Sequence, residues 1–157
     1  MLNSLDTNIL LYALNADCRE HQSALQIVEQ ALGSPEEWIV ADQVYFELYR
    51  LIRNPVVLEH PLDAAQAASK ILFFRDECGW QHCHYEGVFM DSIQEWLSKE
   101  SFGPANVFDL VLAATLRGSA VRRFYTRNKS DYEYLNWFEV IDPISVQASP
   151  SPPAPAR

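Results

Sequence analysis

Cysteine is scarce in this 157-residue chain: Cys18, Cys78 and Cys83 are all there is. So small and odd a number excludes a disulfide framework and points to a reducing compartment, the cytoplasm. Positive charge is short as well. Twelve Lys and Arg face 21 Asp and Glu, for a net charge of -9. That balance argues against a sequence-independent duplex-DNA binder, though not against an enzyme that meets nucleic acid through bound cations. No apolar run reaches the roughly 18 residues of a membrane span. Met1 to Asp6 carries no basic region ahead of its apolar residues and does not read as a signal peptide. There is no internal repeat. Four of the nine prolines, Pro150, Pro152, Pro153 and Pro155, fall in the last eight residues, so the body is not proline-rich. Residues 145–157 read as a disordered Pro/Ser/Ala tail, and residues 1–144 as one domain of ordinary size. Its composition, 48% hydrophobic and 21% charged, is globular.

Short apolar segments alternate with helical patterns. Residues 2–5 start a buried strand, and Asp6-Thr7-Asn8 then opens a helix through Leu14. Asp17 to Leu32 has helical spacing and stops at Gly33-Ser34-Pro35. Trp38-Ile39-Val40-Ala41 reads as a second buried strand, with Asp42 capping a helix over 43–53 that ends at Asn54-Pro55. Further helices are expected over 63–74, 86–99 and 107–116, the last nearly all apolar. Short strands are expected near 82–84, at 123–126 and at 138–141. Such alternation implies an α/β fold, a parallel sheet covered on both faces. In sheets of this kind ligands bind beyond the carboxyl ends of the strands, which directs attention to the polar residues that follow them.

Four acidic or polar positions fit that description, and each has a plain structural reading beside the functional one. Asp6 is also a helix N-cap type. Glu47 shares a helix face with Val44 and Leu51, where a carboxylate is costly unless paired or metal-bound; pairing with Arg50 at i+3 is the alternative. Asp109 suits the positive end of the helix it opens. Asn128 and Asp131, after the strand at 124–125, are turn and cap types. Taken together they gather carboxylates that repel one another in a partly dry cleft unless a divalent cation neutralises them. Hard oxygen ligands select Mg²⁺ or Mn²⁺. Such an ion activates water and stabilises the leaving oxygen of a phosphodiester.

Asp6-Thr7-Asn8-Ile9-Leu10-Leu11-Tyr12-Ala13, the Glu47 helix ahead of Leu51 and Asn54-Pro55, Phe108-Asp109-Leu110-Val111-Leu112-Ala113-Ala114, and Tyr125-Thr126-Arg127-Asn128 with Asp131-Tyr132 occur in this order. The set resembles the PIN-domain ribonucleases, and within them the VapC toxin family, over about residues 1–144. His21 with Ala24, and Pro61-Leu62, resemble one branch of these toxins. The resemblance implies a three-layer α/β/α sandwich with a central parallel sheet and Mg²⁺- or Mn²⁺-dependent cleavage of RNA. It also implies homodimerisation and inhibition by a VapB-type antitoxin. By family roles Asp6, Glu47 and Asp109 belong to the catalytic set, Glu47 completing the site or positioning the attacking water, with Asp131 or the neutral amide of Asn128 in the fourth position. Asp6, Asp109 and Glu47 are the metal ligands, with Thr7, Asn8, Thr126 and Asn128 in support. The chain departs from the pattern after Thr-Arg, where many relatives have an acid: Asn128 stands there, and Asp131 follows three residues later. One bound metal, rather than two, is compatible with that loss of charge.

Arg127 and Lys129 belong to the one local concentration of positive charge, residues 117–129. They read either as RNA phosphate contacts beside the acidic site or as a solvated face. Cys78, His82, Cys83 and His84 are zinc-ligand types at a spacing that matches no usual zinc site. Trp38, Trp80, Trp96 and Trp137 read as core or interface anchors. Two other functions compete with the nuclease. One is a phosphotransfer or phosphatase domain with Asp6 as nucleophile, which usually has a second acid where Asn8 stands. The other is a PIN-fold module that binds without catalysis.

Overall fold

The computed structural model describes residues 1–145. Five three-residue strands, all parallel, form the sheet: β1 (Asn3–Leu5), β2 (Ile39–Ala41), β3 (Gln81–Cys83), β4 (Arg123–Tyr125) and β5 (Glu139–Ile141). β1, β4 and β5 pair in that order, and β2 pairs with β3. A single parallel bridge between Asn3 and Trp38 joins the two groups, giving the spatial order 3-2-1-4-5. Every residue of β1 and β2 is buried, as the centre of a sheet covered on both faces requires. The outer strands β3 and β5 each keep an exposed residue.

The covering helices are α1 (Thr7–Leu14), α2 (His21–Gly33), α3 (Asp42–Ile52), α4 (Ala64–Leu72), α5 (Met90–Leu97) and α6 (Val107–Gly118). This is the three-layer α/β/α arrangement expected. α6 buries six of its 12 residues, all between Leu110 and Leu116. Leu5, Ile9, Leu10, Leu48, Ile52, Leu110, Leu116 and Phe124 make the centre of the core. Trp38 and Trp80 are buried with them: Trp38 tilts against Tyr125, and Trp80 stacks on Phe74.

Several boundaries differ from those read off the sequence. α2 begins at His21 rather than Asp17, because residues 15–20 turn back through Cys18 N–H donating to Asn15 O and His21 N–H to Cys18 O. Asp42 is not the cap of α3. It lies in the first turn, and its carboxylate pairs with Arg75 at 3.0 Å. The stretch expected as one helix over 86–99 is a 3₁₀ turn at Gly87–Phe89 followed by α5. α4 widens into a π turn at Phe73–Glu77. The expected tail lies outside the described residues except for Ser145, whose hydroxyl donates to Asp142 at 2.6 Å. No helix among the described residues is long and apolar enough to cross a membrane.

Candidate active site

β1 has β2 on one side and β4 on the other, so the chain direction of the sheet's order reverses there. Crevices open at such switch points. Asp6, the residue after β1, lies at this one. Its backbone N–H donates to Tyr125 O at 2.9 Å, tying the end of β1 to the end of β4. Its side chain is 5% exposed. Oδ1 accepts from the Thr7 N–H at 2.7 Å and caps α1. Oδ2 accepts from Thr126 Oγ1 at 2.5 Å and from Asn8 Nδ2 at 3.0 Å. The capping and functional readings of Asp6 therefore coexist: α1 begins here because this carboxylate is fixed here.

Thr126 and Asn8 form the bracket that holds it. Thr126 is fully buried, and its N–H donates to Ile141 O at 2.9 Å, so the end of β5 is tied in as well. Asn8 accepts from the Arg127 N–H at 3.1 Å while donating to Asp6. The first turn of α1 and the residue after β4, 118 residues apart in sequence, are thus joined through one amide and one hydroxyl.

α3 presents Glu47, half-buried, with Oε2 accepting from Thr7 Oγ1 at 3.2 Å. Oε1 lies 3.7 Å from Arg50 Nη2. The pairing expected as the bland alternative is present, but at an exposed arginine it is worth only ~0.3–0.5 kcal/mol. It does not account for the bond to Thr7. α6 presents Asp109 in its first turn, and Oδ1 accepts from the Tyr132 hydroxyl at 3.1 Å.

These three carboxylates feel one another. Burial lifts Asp6 to about 6; the Thr126 and Thr7 hydrogen bonds oppose the rise, and the charges of Glu47 and Asp109 add to it. Asp109 is raised too, first by burial and then by Asp131 and Glu47, against the lowering effect of the Tyr132 bond. Asp131, half-buried in a 3₁₀ turn at Lys129–Asp131, sits beside Asp109. Asn128 is exposed and enters through its backbone, whose N–H donates to Thr126 Oγ1 at 3.0 Å.

The donor set fits a hard divalent cation: every candidate ligand is an oxygen, and a cation offsets both the burial that raises Asp6 and Asp109 and the smaller repulsion that adds to it. The carboxylates do not collapse together by themselves. Among the described residues, three ligand atoms come within 4.8 Å of one another only at Asp17, Glu59 and His60. That exposed group lies past the C-terminal ends of α1 and α3, at the opposite end of α1 from Asp6. It is not the set read from the sequence.

Arg127 and Lys129 each lie against an acidic residue. Arg127 Nη1 pairs with Asp142 Oδ2 at 2.6 Å, and Lys129 lies 3.6 Å from Glu133. Cys78 is buried, which pushes its thiol up to about 11, and His82 Nδ1 lies 3.3 Å from the Tyr45 hydroxyl. Neither is arranged for zinc. Tyr132 was given no role from sequence. An aromatic following an acid in a polar turn reads as a core residue, and the bond to Asp109 spans 23 positions.

No protein-family model matches the chain. Ribonuclease VapC24 from Mycobacterium tuberculosis is 36% identical over 142 residues, which is 90% of this chain and 97% of that protein. Among solved structures, the sarcin-ricin loop cleaving toxin VapC20 of M. tuberculosis superposes with a TM-score of 0.56 at 18% identity. It covers 78% of this chain and 86% of its own. VapBC2 from Rickettsia felis, bound to a DNA fragment from its promoter, gives 0.64 at 17% identity over 90% and 98%. Both share the fold. With 36% of the aligned residues identical to VapC24 over 90% of this chain and 97% of that protein, the chain belongs to the VapC family of PIN-domain ribonucleases.

Proposed function

We propose that this chain is a metal-dependent endoribonuclease, the toxin of a VapBC-type toxin–antitoxin pair. The observation that carries this reading is Asp6: a carboxylate buried at the switch point, held by three donors, with Glu47 and Asp109 brought to it by two other helices. The family relative is named a ribonuclease.

Asp6, Glu47 and Asp109 would hold Mg²⁺ or Mn²⁺, and Asp131 stands beside Asp109. A bound divalent cation lowers the pKa of an attacking water and stabilises the leaving oxygen of a phosphodiester. The protein's share is preorganisation. Thr126, Asn8 and the Thr7 N–H fix both Asp6 oxygens. Thr7 Oγ1 fixes one oxygen of Glu47, leaving Oε1 with only a loose arginine partner. Asp142 holds Arg127 through Nη1 and Glu133 lies 3.6 Å from Lys129 Nζ, and both side chains carry further N–H donors for RNA phosphate. The phosphotransfer alternative is disfavoured because the second acid such domains usually carry two residues on is absent: Asn8 stands there, and its Nδ2 donates to Asp6 Oδ2.

The partner is a VapB-type antitoxin. Solved neighbours include the VapBC2 assembly and FitAcB from Neisseria gonorrhoeae, and a chain of net charge -9 suits a basic inhibitory segment. The active form is a homodimer, and three unpaired cysteines suit the cytoplasm.

The test is cleavage of total cellular RNA and purified tRNA with Mg²⁺ or Mn²⁺. Wild type is expected to give discrete products that vanish on chelation and in Asp109→Asn, while that variant keeps its circular dichroism spectrum. Full cleavage by folded Asp109→Asn would overturn the site. Wild type that binds Mn²⁺ at no millimolar concentration would overturn the enzyme and leave a binding module.

A further inference from the structure

The Tyr132 hydroxyl is aimed, with its only proton, at one oxygen of Asp109. The ring is 3% exposed and packs edge-on against Phe124, with centroids 4.9 Å apart and planes at 77°. Phe124 is the fully buried middle residue of β4. The backbone is held too, since the Tyr132 N–H donates to Lys129 O at 3.1 Å as the 3₁₀ turn closes. Ring and chain are therefore locked before any ligand arrives, and the hydroxyl is left facing the charges of Asp6, Asp109 and Glu47. Packing alone does not need that oxygen, because a phenylalanine fills the same space against Phe124. What the oxygen adds is a neutral donor among three acids, in the same turn region where the exposed Asn128 supplies no carboxylate.

We propose that Tyr132 is a positioning residue for the metal centre: its hydroxyl holds Asp109 Oδ1, fixing the carboxylate's rotation and leaving Oδ2 to face the divalent cation. The proposal rests on the metal-dependent reading above. Groups that orient a ligand from behind typically contribute 10–100-fold to metal affinity. They do so without touching substrate, so the effect belongs in metal binding and not in RNA binding.

The experiment is Mn²⁺ titration of the full chain without RNA, followed by the paramagnetic signal of free Mn²⁺, for wild type and Tyr132→Phe. Tyr132→Phe is expected to bind Mn²⁺ about 10-fold or more weakly, with the melting temperature of the metal-free protein essentially unchanged. In cleavage, KM for RNA stays the same, kcat falls at limiting Mn²⁺, and excess Mn²⁺ restores it. Should Tyr132→Phe prove unstable, the titration is repeated below its melting transition with the folded fraction read by circular dichroism: weaker Mn²⁺ binding by the folded fraction supports the role of the hydroxyl, and equal affinity there overturns it. Equal Mn²⁺ affinity in wild type and folded Tyr132→Phe would overturn this role and leave the nuclease reading standing. Absence of Mn²⁺ binding by wild type would overturn both.

Discussion

Burial lifts the Asp6 carboxyl from 3.8 to about 6, and the sign of that shift governs how the metal-free protein responds to pH. The folded chain holds this proton more tightly than the unfolded chain does. The contribution that favours folding is therefore complete below the unfolded value and is lost as pH rises through about 6. At neutral pH the ionised carboxylate costs the empty fold about 1–3 kcal/mol, the counterpart of its readiness for a cation. Asp6→Asn removes the charge and keeps the size. By scanning calorimetry in chelator, it is expected to melt above wild type near pH 7, with the gap closing toward pH 4. Added Mn²⁺ is expected to raise wild type and leave the variant where it was. A variant that melts below wild type at both pH values would mean that the bonds from Thr126 and Asn8 outweigh the charge. Asp6 was legible as a candidate for the site because a strand end followed by a capping type is a local pattern. Tyr132 was not, because its role depends on β4 and the turn after it bringing residue 132 under residue 109.

Helices end where local chemistry ends them only when that chemistry has no rival. α4 is the clean case: Asp63 Oδ1 accepts from the Gln66 N–H at 2.8 Å, and Gln66 Oε1 accepts from the Asp63 N–H at 3.1 Å, a reciprocal cap. The start expected at Asp63 agrees with it. Asp63→Ala should cost about 1 kcal/mol, read as a lowered urea midpoint, and leave Mn²⁺ affinity and cleavage untouched because α4 supplies nothing to the site. Loss of cleavage in the folded variant would show that α4 supports α3 more closely than this picture allows. Asp17 and Asp42 are the same residue type and mislead, since one sits in a turn and the other is drawn to Arg75 from a distant turn. The strands were placed to within a residue or so because their buried runs are bounded by polar residues. Their lateral order was not readable at all. A lone bridge from Asn3 to Trp38 decides that β2 lies beside β1, and no local pattern encodes that bridge. The site follows from the order, for it is β1 between β2 and β4 that puts Asp6 at a switch point.

At the scale of the whole molecule, charge and apolar surface pull association in different directions. A net charge of -9 opposes contact between copies, so a homodimer needs an apolar seam. The chain has one beside its carboxylates: Phe46 on α3 is 74% exposed and Phe108 at the start of α6 is 72% exposed. They flank a common junction, because Gln43, one helical turn from Phe46, donates through Nε2 to Phe108 O at 3.1 Å. Two large aromatics left in water next to each other's helices are what a subunit contact covers. Light scattering should therefore give twice the 18.0 kDa chain mass at micromolar concentration. Phe46→Glu, which adds a charge to an acidic seam, should return it to the single-chain mass with the fold intact. Because Phe46 adjoins Glu47 and Phe108 adjoins Asp109, the monomeric variant should also cleave RNA more slowly while its Mn²⁺ affinity, set by groups inside one chain, stays within about twofold. Wild type that remains a single chain at the highest attainable concentration would remove the seam as an interface. The two rings would then be an unfilled apolar edge of the active site itself.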